Sequence, residues 1–152
     1  MRSKGFSLVE LLTVLSILAI LASVGLVLFT NVQTKGRDST RKQDLRAFAQ
    51  ALEIYFQKFD QYIPPESGSD SCTRDTATFY TNIASYMANQ RAPLDPLTGT
   101  EYCYLSVNNG QSFRLFTKFE DTNDGDINIS ACSNQNYNYT LTSQDLLPIC
   151  AP

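Results

Sequence analysis

The sequence predicts an α+β protein: a long N-terminal α-helix, half of it transmembrane and half amphipathic, packed on a small antiparallel β-sheet head. Three features carry that expectation. Leu11 to Phe29 runs without a charge, apolar residues recur at helical spacing from Leu45 to Phe59, and two aromatic-rich segments flank an Asn-Asn-Gly turn at residues 108–110. At 152 residues the chain suits one membrane-associated segment and one small domain, since a chain of this size does not bury two sizeable cores.

The apolar run LLTVLSILAILASVGLVLF is long enough to span about 28 Å of hydrocarbon at 1.5 Å per residue. A secretory signal peptide has a shorter apolar core followed by a small-x-small cleavage site. Here the run passes straight into Asn31, Val32 and Gln33. No strong helix breaker follows until Pro64 and Pro65, so the helix is expected to continue through Gly36 to about Phe59. Over its second half Leu45, Phe48, Leu52, Tyr55, Phe56 and Phe59 form one apolar stripe at steps of three, four and seven. Opposite the stripe lie Arg41, Lys42, Arg46 and Glu53, and the run KGRDSTRKQDLR reads as a solvated or headgroup-proximal collar. A nucleic-acid patch fits less well: Asp38 and Asp44 interrupt the run, aromatics are missing from it, and the net charge is −3. The monomer is therefore expected to bind no nucleic acid.

Beyond the prolines, residues 66–73 form a polar loop, and Phe79, Ile83, Tyr86 and Met87 predict a short second helix over Asp75 to Asn89. RAPLDPLTGT at residues 91–100 ends it. Glu101 to Val107 and Ser112 to Glu120 are the expected strands of a hairpin, joined by Asn108, Asn109, Gly110 and Gln111, whose residue types accept positive φ.

Cys72, Cys103, Cys132 and Cys150 all follow the apolar run. Four cysteines fit two disulfides in an oxidising compartment, with three pairings open. With no His and no CxxC pair in the chain, zinc is disfavoured. The cysteines place the C-terminal part outside. The charge count runs the other way, with Arg2 and Lys4 before the span and Lys35, Arg37, Arg41, Lys42 and Arg46 after it, which the positive-inside rule alone reads as the reverse orientation.

Glu10 stands at the lip of the apolar run, where an unpaired carboxylate costs several kcal/mol to bury. It needs a cation. A cut after Gly5 would create one, because the new α-ammonium of Phe6 would lie four residues before Glu10, within reach from the same chain or from a neighbour.

The stretch Lys4-Gly5-Phe6-Ser7-Leu8-Val9-Glu10-Leu11-Leu12 resembles the class III signal of type IV pilins and type II secretion pseudopilins. The resemblance implies a leader at residues 1–5, a transmembrane and filament-core helix at 6–30, and a globular head at 31–152 that includes the amphipathic half of the long helix. It implies that a prepilin peptidase cleaves between Gly5 and Phe6 and N-methylates Phe6, and that Glu10 meets the N-terminal amine of an adjacent subunit during assembly. The implied partners are that peptidase, copies of the chain itself and other pilins, the lipid bilayer before assembly, and, indirectly, an assembly ATPase and an inner-membrane platform. The implied location is the cell membrane, single-pass with the head outside, and afterwards a pilus or cell-envelope filament. Many pilins carry a Pro within the apolar helix; this sequence offers only Gly25 there. A second resemblance, to the DP-x-x-G-x-x-Y-x-Y string of pseudopilin-like proteins, rests on Asp95, Pro96, Gly99, Tyr102 and Tyr104. The spacing of Cys132 and Cys150 is similar to the C-terminal disulfide-bounded loop of many pilins, which favours that pair and leaves Cys72 with Cys103.

Asp121, Asn123, Asp124 and Asp126 concentrate oxygen atoms in one loop, which reads first as an acidic turn; Ca²⁺ is a minor candidate, and no other cofactor is expected. The loop is not an EF-hand, because Gly125 falls one place early and Cys132 stands where the bidentate Glu belongs. The triplets at Asn128 and Asn138 match glycosylation sequons and are expected to be unmodified. No P-loop, GxSxG or dinucleotide fingerprint occurs, so catalysis is not expected. The function implied is a structural filament subunit: a type IV pilin, with a secretion pseudopilin or competence-type minor pilin as variants. A single-span, membrane-anchored binding module is the alternative of a different class.

Overall fold

The computed structural model describes residues 5, 7–64, 76–129 and 137–143, apart from the side chains of 24–28, 76 and 77. Its elements are α1 (Leu8–Phe59), α2 (Thr76–Ala84), β1 (Cys103–Val107), β2 (Ser112–Thr117) and β3 (Tyr139–Thr142). The fold is α+β, as the sequence predicts. Two units, Met1–Gly36 and Arg37–Pro152, divide the chain.

In the first unit, the side chains of Leu8, Val9, Leu11, Leu12, Leu15, Ile17, Leu18, Ile20 and Leu21 are all exposed. Its hydroxyls fold back onto the helix: Thr13 Oγ1 donates to Glu10 O at 2.9 Å, Ser16 Oγ to Leu12 O at 2.8 Å and Ser23 Oγ to Ile20 O at 2.7 Å. Such back-bonding lets a polar side chain sit in an apolar surface. Among the described residues, no helix is long and apolar enough to cross a membrane. The span expected from Leu11 to Phe29 takes in residues 24–28, whose side chains lie outside the described ones.

The second unit has a proper core. Leu45, Phe48, Ala51 and Leu52 of α1 pack with Phe79, Tyr80 and Ile83 of α2, and with Tyr102, Tyr104, Phe113 and Leu115 of the sheet. The helical stripe is borne out from Leu45 to Leu52, half-buried at Tyr55 and Phe56, and ends at an exposed Phe59. Phe79 stacks on Tyr104 with centroids 4.0 Å apart. Each buried tyrosine finds a partner for its hydroxyl, which the cost of an orphaned polar group demands. Tyr102 donates to Asp44 at 2.7 Å and Tyr104 to Ile63 O at 2.8 Å, while Tyr80 accepts the Tyr102 N–H at 2.7 Å.

Strand order is β1-β2-β3, all antiparallel. Register pairs Cys103 with Phe116 and Val107 with Ser112, then Arg114 with Thr142 and Thr117 with Tyr139. Asn108, Asn109 and Gly110 in the turn have φ of 53°, 55° and 82°, the left-handed conformations that Asn and Gly accept most readily. The strands are shorter than expected: β1 starts at Cys103 rather than Glu101, and β2 stops at Thr117 rather than Glu120. Lys118 to Glu120 instead leave the sheet, and Glu120 turns to the ion pairs described below. α2 likewise ends at Ala84, and residues up to Gln90 follow as turns, with Tyr86 N bonded to Ile83 O.

Candidate functional site

The expected processing site, Gly5 and Phe6, lies at the entrance to α1. Gly5 is exposed and outside the helix, Phe6 lies outside the described residues, and the first helical bond runs from Leu11 N to Ser7 O at 3.2 Å. Glu10 falls in the first turn and is exposed. A carboxylate there is favoured by the positive end of the helix dipole.

The basic collar behaves differently from the expectation. Arg41 was expected on a solvated face; it is only 2% exposed. Its Nε and NH2 donate to both oxygens of Asp95 at 2.6 and 3.1 Å, and its NH1 donates to Asp38 at 2.6 Å and Glu120 at 2.8 Å. Arg37 adds a two-bond fork on Glu120, at 2.7 and 2.6 Å. Three carboxylates offset the desolvation of one guanidinium, which is what allows a charge to sit below the surface. The buried Asp38 carboxylate also accepts the N–H groups of Glu120 at 3.0 Å and Asp121 at 2.9 Å. Asp38 and Arg41 thus tie α1 to the loop after β2, and Asp95 ties in the loop before β1. Asp95 in turn closes its own loop: its Oδ1 accepts the N–H groups of Leu97 and Thr98, both at 2.9 Å, and Gly99 N–H donates to Asp95 O with Gly99 at φ 67°. Arg46 and Glu53 are exposed as expected, with Glu53 accepting the Tyr62 hydroxyl at 2.9 Å.

The electrostatics follow. Burial works to raise the Asp95 carboxyl, but the Arg41 guanidinium and the N–H groups of Thr98 and Leu97 outweigh it and hold the group at about 2. The Arg37 fork, opposed by burial and aided by Arg41, takes Glu120 to about 2. For Asp44 burial wins over the Tyr102 hydroxyl, and its carboxyl rises above the ordinary value.

Lys42 was the other collar residue expected in solvent. Its Nζ donates to both oxygens of Asp124 at 2.8 Å and to Asp126 at 2.7 Å, above the Phe119 ring at 4.9 Å. Burial lowers the affinity of the amine for its proton, but the two carboxylates prevail and raise it. Asp121 and Asp124 shape the loop by accepting the N–H groups of Asn123 at 3.0 Å and Asp126 at 2.9 Å. Among the described residues, no group of three or more metal-ligating His, Cys, Asp or Glu side chains occurs. With an ammonium between Asp124 and Asp126, added Ca²⁺ is expected to leave the thermal midpoint of the purified protein unchanged. A rise of several degrees at millimolar Ca²⁺ would return the loop to the metal sites.

Both sequon asparagines are occupied structurally. Asn128 accepts from Thr140 N at 2.9 Å and donates to Thr140 O at 2.8 Å, and Asn138 does the same with Phe119 at 2.6 and 3.0 Å. The Asn128 carboxamide thus stands in for a strand partner of β3, and that of Asn138 satisfies the backbone of Phe119 just beyond β2. Cys103 is buried and disulfide-bonded. Cys72, Cys132 and Cys150 lie outside the described residues, so the favoured pairing stays a proposal.

The ion-paired residues Asp38, Asp95 and Glu120 were missed as partners of Arg41. Asp38 and Arg41, three apart on one helix, had a local signal; Asp95 and Glu120 lie 54 and 79 residues away in sequence and had none.

Residues 1–26 match the family model of the prokaryotic N-terminal methylation motif. Over 61 residues the chain is 34% identical to the type IV major pilin protein PilA of Myxococcus xanthus (strain DK1622), a stretch that is 40% of this chain and 28% of that relative. The match thus spans less than a third of the relative's own length. No solved structure matches the chain.

Proposed function

We propose that this type IV pilin-like chain is a non-enzymatic structural subunit of a filament, cut by a prepilin peptidase between Gly5 and Phe6 and polymerised through its N-terminal helix. The observation that carries the reading is the methylation motif over residues 1–26, set on a helix whose large apolar side chains are exposed from Leu8 to Leu21. Exposed apolar surface of that extent demands a covering. In the proposed cycle the covering is first lipid, with the second unit outside the membrane, and then the same helices of neighbouring copies. Methylated Phe6 supplies the ammonium that Glu10 meets as subunits pack. The peptidase acts once on each chain; an assembly ATPase and membrane platform supply the work of extraction. The disulfides are assigned as Cys72 with Cys103 and Cys132 with Cys150.

Fibres sheared from producing cells and labelled with antibody to residues 37–152 test the reading. Label along the shaft or at the tip is expected, and fibres free of label in cells that hold the processed protein would refute it.

A further inference from the structure

Helix α1 is covered in two different ways along its length. From Leu8 to Leu21 its large apolar side chains are exposed, and on the reading above lipid or a neighbouring helix covers them. A backbone bond opened under such a covering finds no water to replace its partner, which keeps the helix closed there. From Arg37 onward the second unit holds the helix. Arg37 forks onto Glu120, Asp38 and Arg41 are buried together, and Leu45, Phe48, Ala51 and Leu52 lie in the core.

Between these two regions the stretch from Thr30 to Gly36, TNVQTKG, has neither kind of covering. Val32 is its one apolar side chain. None of its residues is buried: Thr34 is half-buried and the others are exposed. Its backbone bonds therefore lie at the surface, just past the point where the apolar run ends at Phe29.

The same stretch is built from poor helix formers. Thr30, Asn31, Val32, Thr34 and Gly36 all rank below Leu, Lys, Gln and Glu as helix residues. The β-branched ones lose side-chain freedom against the preceding turn, and Gly loses the most backbone freedom. Packing does not ask for the glycine, because a methyl group at Gly36 would meet nothing within 4 Å. Thr34 Oγ1 donates to Thr30 O at 3.1 Å, a back-bond of the kind that weakens and bends helices.

We propose that residues 30–36 are a hinge in α1, a segment that opens locally while the helix on both sides stays formed. Breaking a helix in its middle ordinarily leaves two pieces that must each stand alone, which is costly. Here each piece keeps its own covering, so an opening at 30–36 melts neither. Local opening starts where few apolar side chains are buried and backbone bonds face water. On the filament reading above, the hinge lets the helix change direction as it leaves a bilayer and joins a fibre, with the ion pairs of Arg37 and Arg41 intact.

Amide hydrogen exchange of the full chain, read residue by residue by mass spectrometry, tests the hinge. The protein is held in detergent micelles, which cover its exposed apolar side chains whether or not the chain spans a membrane. Amides of residues 32–37 are expected to exchange at least about a hundredfold faster than those of residues 12–20 and 45–52. In a variant that combines Thr30→Ala, Asn31→Ala, Val32→Ala, Thr34→Ala and Gly36→Ala, the same amides slow by at least about tenfold while both flanks keep their rates. Even protection from residue 12 to residue 52 overturns the hinge. So does fast exchange at 32–37 that the alanines leave unchanged, and so does equally fast exchange at 45–52, which marks opening of the whole second unit. Fibre yield enters none of these readings, so a negative result leaves the filament reading standing, and wild-type cells without fibres leave the hinge standing.

Discussion

Replacing Glu10 with Ala is expected to abolish fibre assembly while leaving the membrane-held protein at its normal level. Glu10 sits in the first turn of a helix whose neighbouring side chains Leu8, Val9, Leu11 and Leu12 are apolar and exposed. When those side chains are covered by other helices, the carboxylate must be paired, since an unpaired one costs several kcal/mol in an apolar setting. The proposed partner is the ammonium of processed Phe6 on an adjacent copy. Loss of that pair at every subunit contact is expected to lower fibre yield by at least about a hundredfold, because each 1.4 kcal/mol is a factor of ten per contact. Fibre yield against total processed protein, on the same blot, is the readout. A membrane-anchored binding module would tolerate the change, so normal ligand capture with no fibres in the wild type would favour that alternative.

Arg41→Met is expected to cost roughly 3–5 kcal/mol of stability, because it leaves the Asp38 and Asp95 carboxylates below the surface without their cation, while Glu120 keeps the Arg37 fork. The urea midpoint of the purified full-length protein, compared with wild type, checks it. Arg41→Lys is expected to fall between the two: it keeps the charge but cannot reproduce the fork that spans three carboxylates. The same cluster sets the acid limit. Asp95 and Glu120 are both held at about 2 when folded, below the ordinary carboxylate range. The folded state therefore binds fewer protons than the unfolded one between about pH 4 and pH 2, and stability falls as pH drops through that window. Each group contributes on the order of 2 kcal/mol at most, lessened by the partial exposure of Glu120. In Arg41→Met this acid dependence shrinks; an unchanged acid profile would detach the cluster from stability.

Much of this molecule was legible from its residues. The long helix ends at Phe59, where the absence of breakers before Pro64 placed it, and Leu45, Phe48 and Leu52 are core residues at the predicted spacing. The Asn-Asn-Gly turn sits where its chemistry put it. Strand β3 had no comparable signal: Tyr139–Thr142 is four residues long and gains its outer edge from the Asn128 carboxamide, a long-range contact that no periodicity encodes. Arg41 and Lys42 were misplaced for a related reason. A charged run on a helix face reads as solvated unless the carboxylates that meet it are known, and those came from loops around residues 95, 120 and 124.

The mature N-terminus tests the central claim most directly. Mass spectrometry of the N-terminal peptide from membranes or fibres should find a chain that begins at N-methylated Phe6. A chain that still carries Met1 to Gly5 would leave Glu10 without its ammonium and contradict the account.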